Sequence, residues 1–413
     1  MSTNDPGYLK KLAWSLPWLA RYPLWRAAEL VRRMSDKAES GPQQIMLMVA
    51  NHFEPGWSDR GERVDWDTQR ARLERWCEQA RKIGDAVRDT DGAAFRHTLF
   101  YPGEEYHAPL LDRMAQLQRE GFGDVEVHLH HGVERPDTAE NLRRVLTEFR
   151  DLLAEEHKCL SRMNGVGPPV YAFVHGNLAL ANSAGGRYCG VDSEMQILLE
   201  TGCYADFTLP SAPDESQVPR LNDIYQCGHP LSQARPHRSG PSVRRGERPN
   251  LPLIFTGPLV FDWRRRVKGL PVPRLDDGAL AANHLPDLTR FEHWRSAHIN
   301  VRGRPDWIFI KLYCHGFFPQ DESAMIGDAM QRFLENLLEL GERSGSFKLH
   351  FTTAREAFNI ALAAIDGHEG EPGQYRDYRL RPIMQEGSSA ARAALPSTAQ
   401  EEEQQSSVTQ AVS

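Results

Sequence analysis

The sequence predicts an α/β protein built on a parallel sheet with crossover helices. Short β-like runs alternate with helical patterns through the middle of the chain. Several of those runs end in polar residues of matching parity. At 413 residues, with 40% hydrophobic and 25% charged residues, the chain suits a soluble globular protein that gives most of its length to one α/β body. Formal net charge is −7, which argues against nucleic-acid binding, where a basic surface is the usual footprint.

Residues 1–40 are expected to form an N-terminal helical segment. Pro17, Pro23 and many charges interrupt its apolar residues, so it does not read as a signal peptide. Leu12, Trp14, Leu16, Trp18, Leu19, Trp25 and Leu30 alternate with Lys10, Lys11, Arg21, Arg26, Arg32 and Arg33. That pattern fits a helix strapped across the body, with contact to a membrane surface as the competing reading. No apolar run approaches the ~20 residues of a membrane span, and a cytoplasmic location is expected. The six cysteines form no CxxC pair and read as free buried thiols.

Strands are expected at 44–51, 95–101, 124–130, 170–175, 204–209, 253–257, 307–315 and 347–352. Helices are expected at 67–85, 108–120, 138–164, 192–201, 323–340 and 354–365. Residues 212–250, rich in Pro, Ser, Gly and Arg, read as a long loop. The arginines of this loop, and Arg264 to Arg266 beyond it, read as a solvated charge run. The body is expected over 41–367 and a disordered tail over 368–413, which drifts into Gly, Glu, Gln and Ser.

Parity identifies the candidate site. Successive side chains on a strand face opposite ways. Val125, Val127 and Leu129 share one face; Glu126, His128 and His130 share the other. His52 matches Glu54 at the end of another apolar run, and His175 matches Asn177. Lys311, Tyr313 and His315 share a face, as do His97 and Tyr101. Polar groups at the carboxyl ends of parallel strands gather on one face of a barrel, where active sites of such folds sit. Imidazole and carboxylate are the usual ligands of a catalytic divalent cation such as zinc. His128, His130 and Glu54 are therefore the expected ligands, with another histidine moving the proton.

The order of these segments resembles the polysaccharide deacetylase superfamily. The resemblance rests on Asn51-His52-Phe53-Glu54-Pro55, His97-Thr98-Leu99-Phe100, Glu126-Val127-His128-Leu129-His130 and the strand from Trp307 to His315. It covers residues 44–365 and implies a distorted (β/α)7-type barrel and a metal-dependent hydrolase of non-peptide carbon–nitrogen bonds. The substrate it implies is a glycan, such as an amino sugar or exopolysaccharide precursor, that loses an acyl group. It places His52 where the family has its catalytic aspartate and His315 at the general acid. The family's second metal histidine falls at Glu134, so His131 and Glu134 are alternative ligands. Sugar contacts are expected from His97, Tyr101, Glu104, Glu105, His175 and Asn177, with Asp206 orienting a histidine and Gly176 allowing close approach of a ligand. Two other readings stand beside this one. The first is a glycoside hydrolase pairing Glu54 with Asp206 or Glu105, which requires two carboxylates flanking the bond. The second is a catalytically inactive glycan-binding or scaffold protein.

Overall fold

A computed structural model describes residues 7–35, 41–58, 61–264 and 266–385. Two helices open the chain, α1 (Gly7–Leu19) and α2 (Tyr22–Ser35). Then follow β1 (Gln43–His52), α3 (Trp66–Ala86), β2 (His97–Pro102), α4 (Ala108–Arg119), β3 (Gly123–Leu129) and α5 (Ala139–Asp151). Next come β4 (Ser161–Met163), β5 (Pro169–His175), α6 (Glu194–Glu200), β6 (Cys203–Asp206), β7 (Ile224–Gln226) and β8 (Leu253–Phe255). Two small antiparallel ribbons combine β9 (Val260–Asp262) with β12 (Arg274–Asp276), and β10 (Arg266–Val267) with β11 (Leu270–Pro271). The chain continues through α7 (Leu288–Ala297), β13 (Trp307–Cys314), α8 (Glu322–Met325), α9 (Asp328–Ser344), β14 (Phe347–Phe351), α10 (Ala354–Ile365) and β15 (Leu380–Pro382).

The main sheet has the order β13-β1-β2-β3-β5-β6-β8-β7, with β14 also paired to β1. Every ladder along that path is parallel except β7 with β8. β1 is long enough to serve two neighbours on one edge. Its residues Gln43–Leu47 pair with β14, and Ala50–His52 pair with β2. Parallel strands bring their carboxyl ends to one side, so His52, His128 and His175 all stand there.

Both faces of the sheet carry apolar clusters. Ile45, Leu47 and Val49 of β1 pack with Val125 and Val127 of β3 against α3, α4 and α9. Met46, Met48, Phe100, Ala172, Val174 and Phe309 pack on the other face around α10. α10 is buried almost all round and rich in alanine, which lets it lie close to the strands. A capping box between Thr353 and Glu356 starts it.

The N-terminal helices are a strap on the body. Trp18 is buried and stacks on Phe261 at 5.8 Å, and Glu29 pairs with His298 at 2.5 Å. Leu9, Leu16, Leu24, Leu30 and Val31 stay exposed. No helix among the described residues is long and apolar enough to cross a membrane.

Three expectations are corrected. The helix expected over 138–164 runs as α-helix to Asp151 and as a π-helical turn to Glu156, and ends there because Ser161–Met163 is drawn into pairing with β5 and β15. The helix expected over 323–340 breaks at Gly327, which caps α9. Residues 368–385, expected in the tail, fold back on the body, with β15 on β4 and Asn359 of α10 donating to Leu380 O at 2.9 Å. Residues 386–413, the remainder of that expected disorder, lie outside the described residues.

Candidate metal centre

Beyond the end of β1, Phe53 N donates to Phe100 O at 2.9 Å, and the chain turns to present Glu54. Arg72 of α3 clamps this turn, donating to Pro55 O at 2.9 Å and Trp57 O at 2.7 Å. His52, Glu54 and His128 offer ligand atoms that all lie within 4.8 Å of one another. His128 donates Nδ1–H to Val174 O at 2.8 Å, since a carbonyl only accepts. When the ring is neutral its Nε2 carries a lone pair toward Glu54 Oε1 at 3.2 Å, and when it is protonated Nε2–H donates to that oxygen. The contact is satisfied either by a proton on Nε2 or by a cation between the two atoms. Two imidazoles and a carboxylate with one position left for water form the donor set of a catalytic zinc site.

Two more imidazoles flank this group. The His130 ring is 4.6 Å from that of His128, with Nε2 at 3.8 Å from Glu54 Oε2. Its Nδ1 pairs with Glu104 Oε1 at 2.6 Å. The His315 ring is 4.8 Å from that of His52. Its turn is pinned by Gly316 N donating to Asn51 Oδ1 at 2.7 Å. Solvent reaches the rim, where the side chains of His130 and Glu104 keep 18% and 29% of their exposure.

Burial, with the charges of His315 and His128, holds the His52 ring well below its ordinary pKa. Burial likewise lowers His315, against the pull of Glu54. Burial opposes ionisation of Glu54, but the His128 hydrogen bond and the surrounding imidazoles outweigh it and hold the carboxyl low. For His130, burial is outweighed by the hydrogen bond to Glu104 and the charges of Glu54, Glu104 and Glu105, so its pKa is raised.

Of the expected ligand trio, Glu54 and His128 group with His52, while His130 pairs with Glu104 and keeps Nε2 3.8 Å from Glu54 Oε2. β3 ends at Leu129, so strand alternation no longer governs His130. Glu134, the alternative ligand, is exposed.

Several expected sugar contacts are elsewhere. His97 and Tyr101 face the helical side of the sheet with Leu99. Between Trp76 and Phe95, His97 lies 3.1 Å from Met325 O and 3.5 Å from Asn51 Nδ2. It supports the asparagine that pins the His315 turn. Tyr101 OH donates to Glu105 O at 2.7 Å. Glu105 is buried in an ion pair with Arg63 at 2.6 Å. Asp206 is buried and accepts from Thr208 Oγ1 at 2.7 Å, while Thr208 Oγ1 accepts from His175 N at 2.8 Å. It thus orients the backbone of His175 and not its ring. Asn177 is exposed, with φ 53°. Gly176 makes room for protein and not for a ligand: a Cβ there would meet the His130 ring at 2.3 Å.

His175 is the largest departure. It points with Tyr171 and Phe173 to the helical face and meets His131, Cys189 and Glu194, whose ligand atoms form a second group within 4.8 Å. Cys189 and Glu194 had no signal beyond an unremarkable thiol and a helix start. A third group, Asp89, Asp91 and His350, is an ion-pair network: Arg376 bridges both aspartates, and His350 is held by Asp91 and Gln44, each at 2.7 Å. All six cysteines are free and buried.

Two surface clefts, of about 240 and 520 Å³, contain none of these cluster residues. No known protein family matches the chain, and no curated protein matches it.

Proposed function

We propose that this protein is a metal-dependent hydrolase of the polysaccharide deacetylase type, removing an acyl group from a carbohydrate. The observation that carries the metal-dependent part is the convergence of His52, Glu54 and His128 from β1 and β3, parallel strands on either side of β2, with His128 Nδ1–H held by Val174 O. The carbohydrate part rests on the resemblance of the strand-end segments. The fold is read as a distorted βα-barrel. Lys311 of β13 supports this, because its Nζ reaches across to the carbonyls of Phe207 and Leu209 beyond β6.

His52, Glu54 and His128 would hold a divalent cation, which when bound would supply Lewis acidity toward an acyl oxygen and lower the pKa of water toward neutral. His315, without a carboxylate partner on its ring, accepts the proton of the attacking water. His130, held at Nδ1 by Glu104, gives a proton to the departing amine or hydroxyl as the acyl bond breaks. A carboxylate on one ring nitrogen favours the charged imidazole, so the acid role passes from His315 to His130. At the strand ends His315 stands beside His52, and His130 beside His128.

The test pairs metal content with hydrolysis of acetylated amino-sugar oligomers. His52→Ala and His128→Ala lose one equivalent of metal and turnover together. His315→Ala keeps the metal and loses about 10²–10⁴-fold in rate. Metal content that is unchanged in both His52→Ala and His128→Ala rules the reading out.

A further inference from the structure

The second histidine cluster has a different character. His131 follows β3, His175 ends β5, and Cys189 and Glu194 lead into α6. His131 Nε2 lies 2.9 Å from Glu194 Oε1, His175 Nε2 3.3 Å from the same oxygen, and Cys189 Sγ 3.5 Å from Glu194 Oε2. Exposure is 7% at His131 and 0% at the other three.

Each imidazole has its outer nitrogen occupied. His131 Nδ1 pairs with Asp137 Oδ2 at 3.0 Å, and His175 Nδ1 donates to Gly176 O. The inner nitrogens therefore carry lone pairs aimed at Glu194 when the rings are neutral. His175 Nε2 is fully buried and makes no hydrogen bond. A carboxylate or carbonyl on the far nitrogen is the usual second support of a metal-bound histidine. Val191 N points at Cys189 Sγ from 3.5 Å, which suits a thiolate. The loops carrying His131 and Cys189 pack backbone to backbone. Tyr188 N donates to Gly132 O at 3.0 Å, and a Cβ on Gly132 would meet Cys189 O at 2.2 Å.

We propose that His131, His175, Cys189 and Glu194 form a closed tetrahedral site for zinc or a similarly soft divalent ion, tying the ends of β3 and β5 to the start of α6. Two imidazoles, a thiolate and a carboxylate select such an ion over magnesium or calcium, which prefer all-oxygen ligands. Four protein ligands leave no position for water, and burial bars a substrate, so the role is structural. The same burial argues against Cys189 as a nucleophile. This site is independent of the catalytic reading and contains the only sulfur donor in either histidine cluster.

Cobalt(II) separates the two sites by spectroscopy. Protein expressed in cobalt-supplemented minimal medium is expected to show a thiolate-to-cobalt charge-transfer band with tetrahedral visible bands. Cys189→Ser is expected to lose the charge-transfer band, and His128→Ala to keep it. The wild-type spectrum needs no variant: purified protein that holds no metal, or cobalt-loaded protein without the thiolate band, overturns the proposal. A band that survives in Cys189→Ser overturns it as well. A band without hydrolysis leaves this site standing and counts against the catalytic reading; hydrolysis without the band does the reverse.

Discussion

His128 and His131 are close neighbours in sequence, yet they serve clusters on opposite faces of one sheet. Around His128 the donors are two imidazoles and a carboxylate, with His130 and His315 beside them and a solvent-reached rim at Glu104. Around His131 a thiol completes a set of four, all buried, with Asp137 and the Gly176 carbonyl behind the rings. Donor type alone does not separate the two. The difference is what lies beyond the donors: further imidazoles and a solvent-reached rim in one, packed loops in the other. Chemistry needs the first arrangement, and mechanical linkage needs the second.

That contrast is broken or sharpened by exchanging the damage. His128→Ala is expected to lower turnover on the order of 10³-fold or more, because Lewis-acid polarisation contributes several kcal/mol to the transition state. Glu194→Ala is expected to leave turnover per folded molecule unchanged and to destabilise the fold by about 3–5 kcal/mol, since it strips a buried carboxylate from two imidazoles. Denaturant titrations and initial rates on both variants decide this. A slow but fully stable Glu194→Ala would reverse the assignment of the two clusters.

A smaller effect sharpens the open site. Glu104 raises the pKa of His130 against the effect of burial. An acid must hold its proton, so activity falls as pH rises through that pKa. Glu104→Gln lowers the pKa, and the alkaline limb of kcat/KM is expected to move to lower pH. The rate at the optimum is expected to fall by no more than about 10²-fold. A pH–rate profile superimposable on the wild type would remove His130 from the acid role.

The smallest effect tests the backbone between the clusters. In Gly176→Ala the added methyl group would meet the His130 ring at 2.3 Å and Leu129 O at 2.8 Å. Overpacking of this kind costs about 1–3 kcal/mol, and kcat is expected to fall while KM changes little. Wild-type kcat would mean that this contact does not hold His130 in place.

How much of the site was legible follows from where each residue stands. His52, Glu54, His128 and His315 come together as parity and parallel strands require. His97, Tyr101 and His175 do not, because polarity alone does not mark one face of the sheet. Both faces are apolar here: Phe100 and Val174 pack round α10 as tightly as Leu99 and Phe173 pack toward the helices. Alternation then tells that two residues differ in direction, and not which direction is which.

By itself the sequence determined the order of strands and crossover helices, the common side at which their polar ends gather, and the apolar partners of Glu126 and His128 on β3. Those properties are local: they follow from period, propensity and the direction of a parallel strand. Tertiary structure decided which face each histidine serves, the turn of His130 toward Glu104, and the meeting of Cys189 and Glu194 with His131 and His175. These depend on loops that pack across long stretches of chain and on a sheet buried on both sides, where no periodicity within a single strand carries the information.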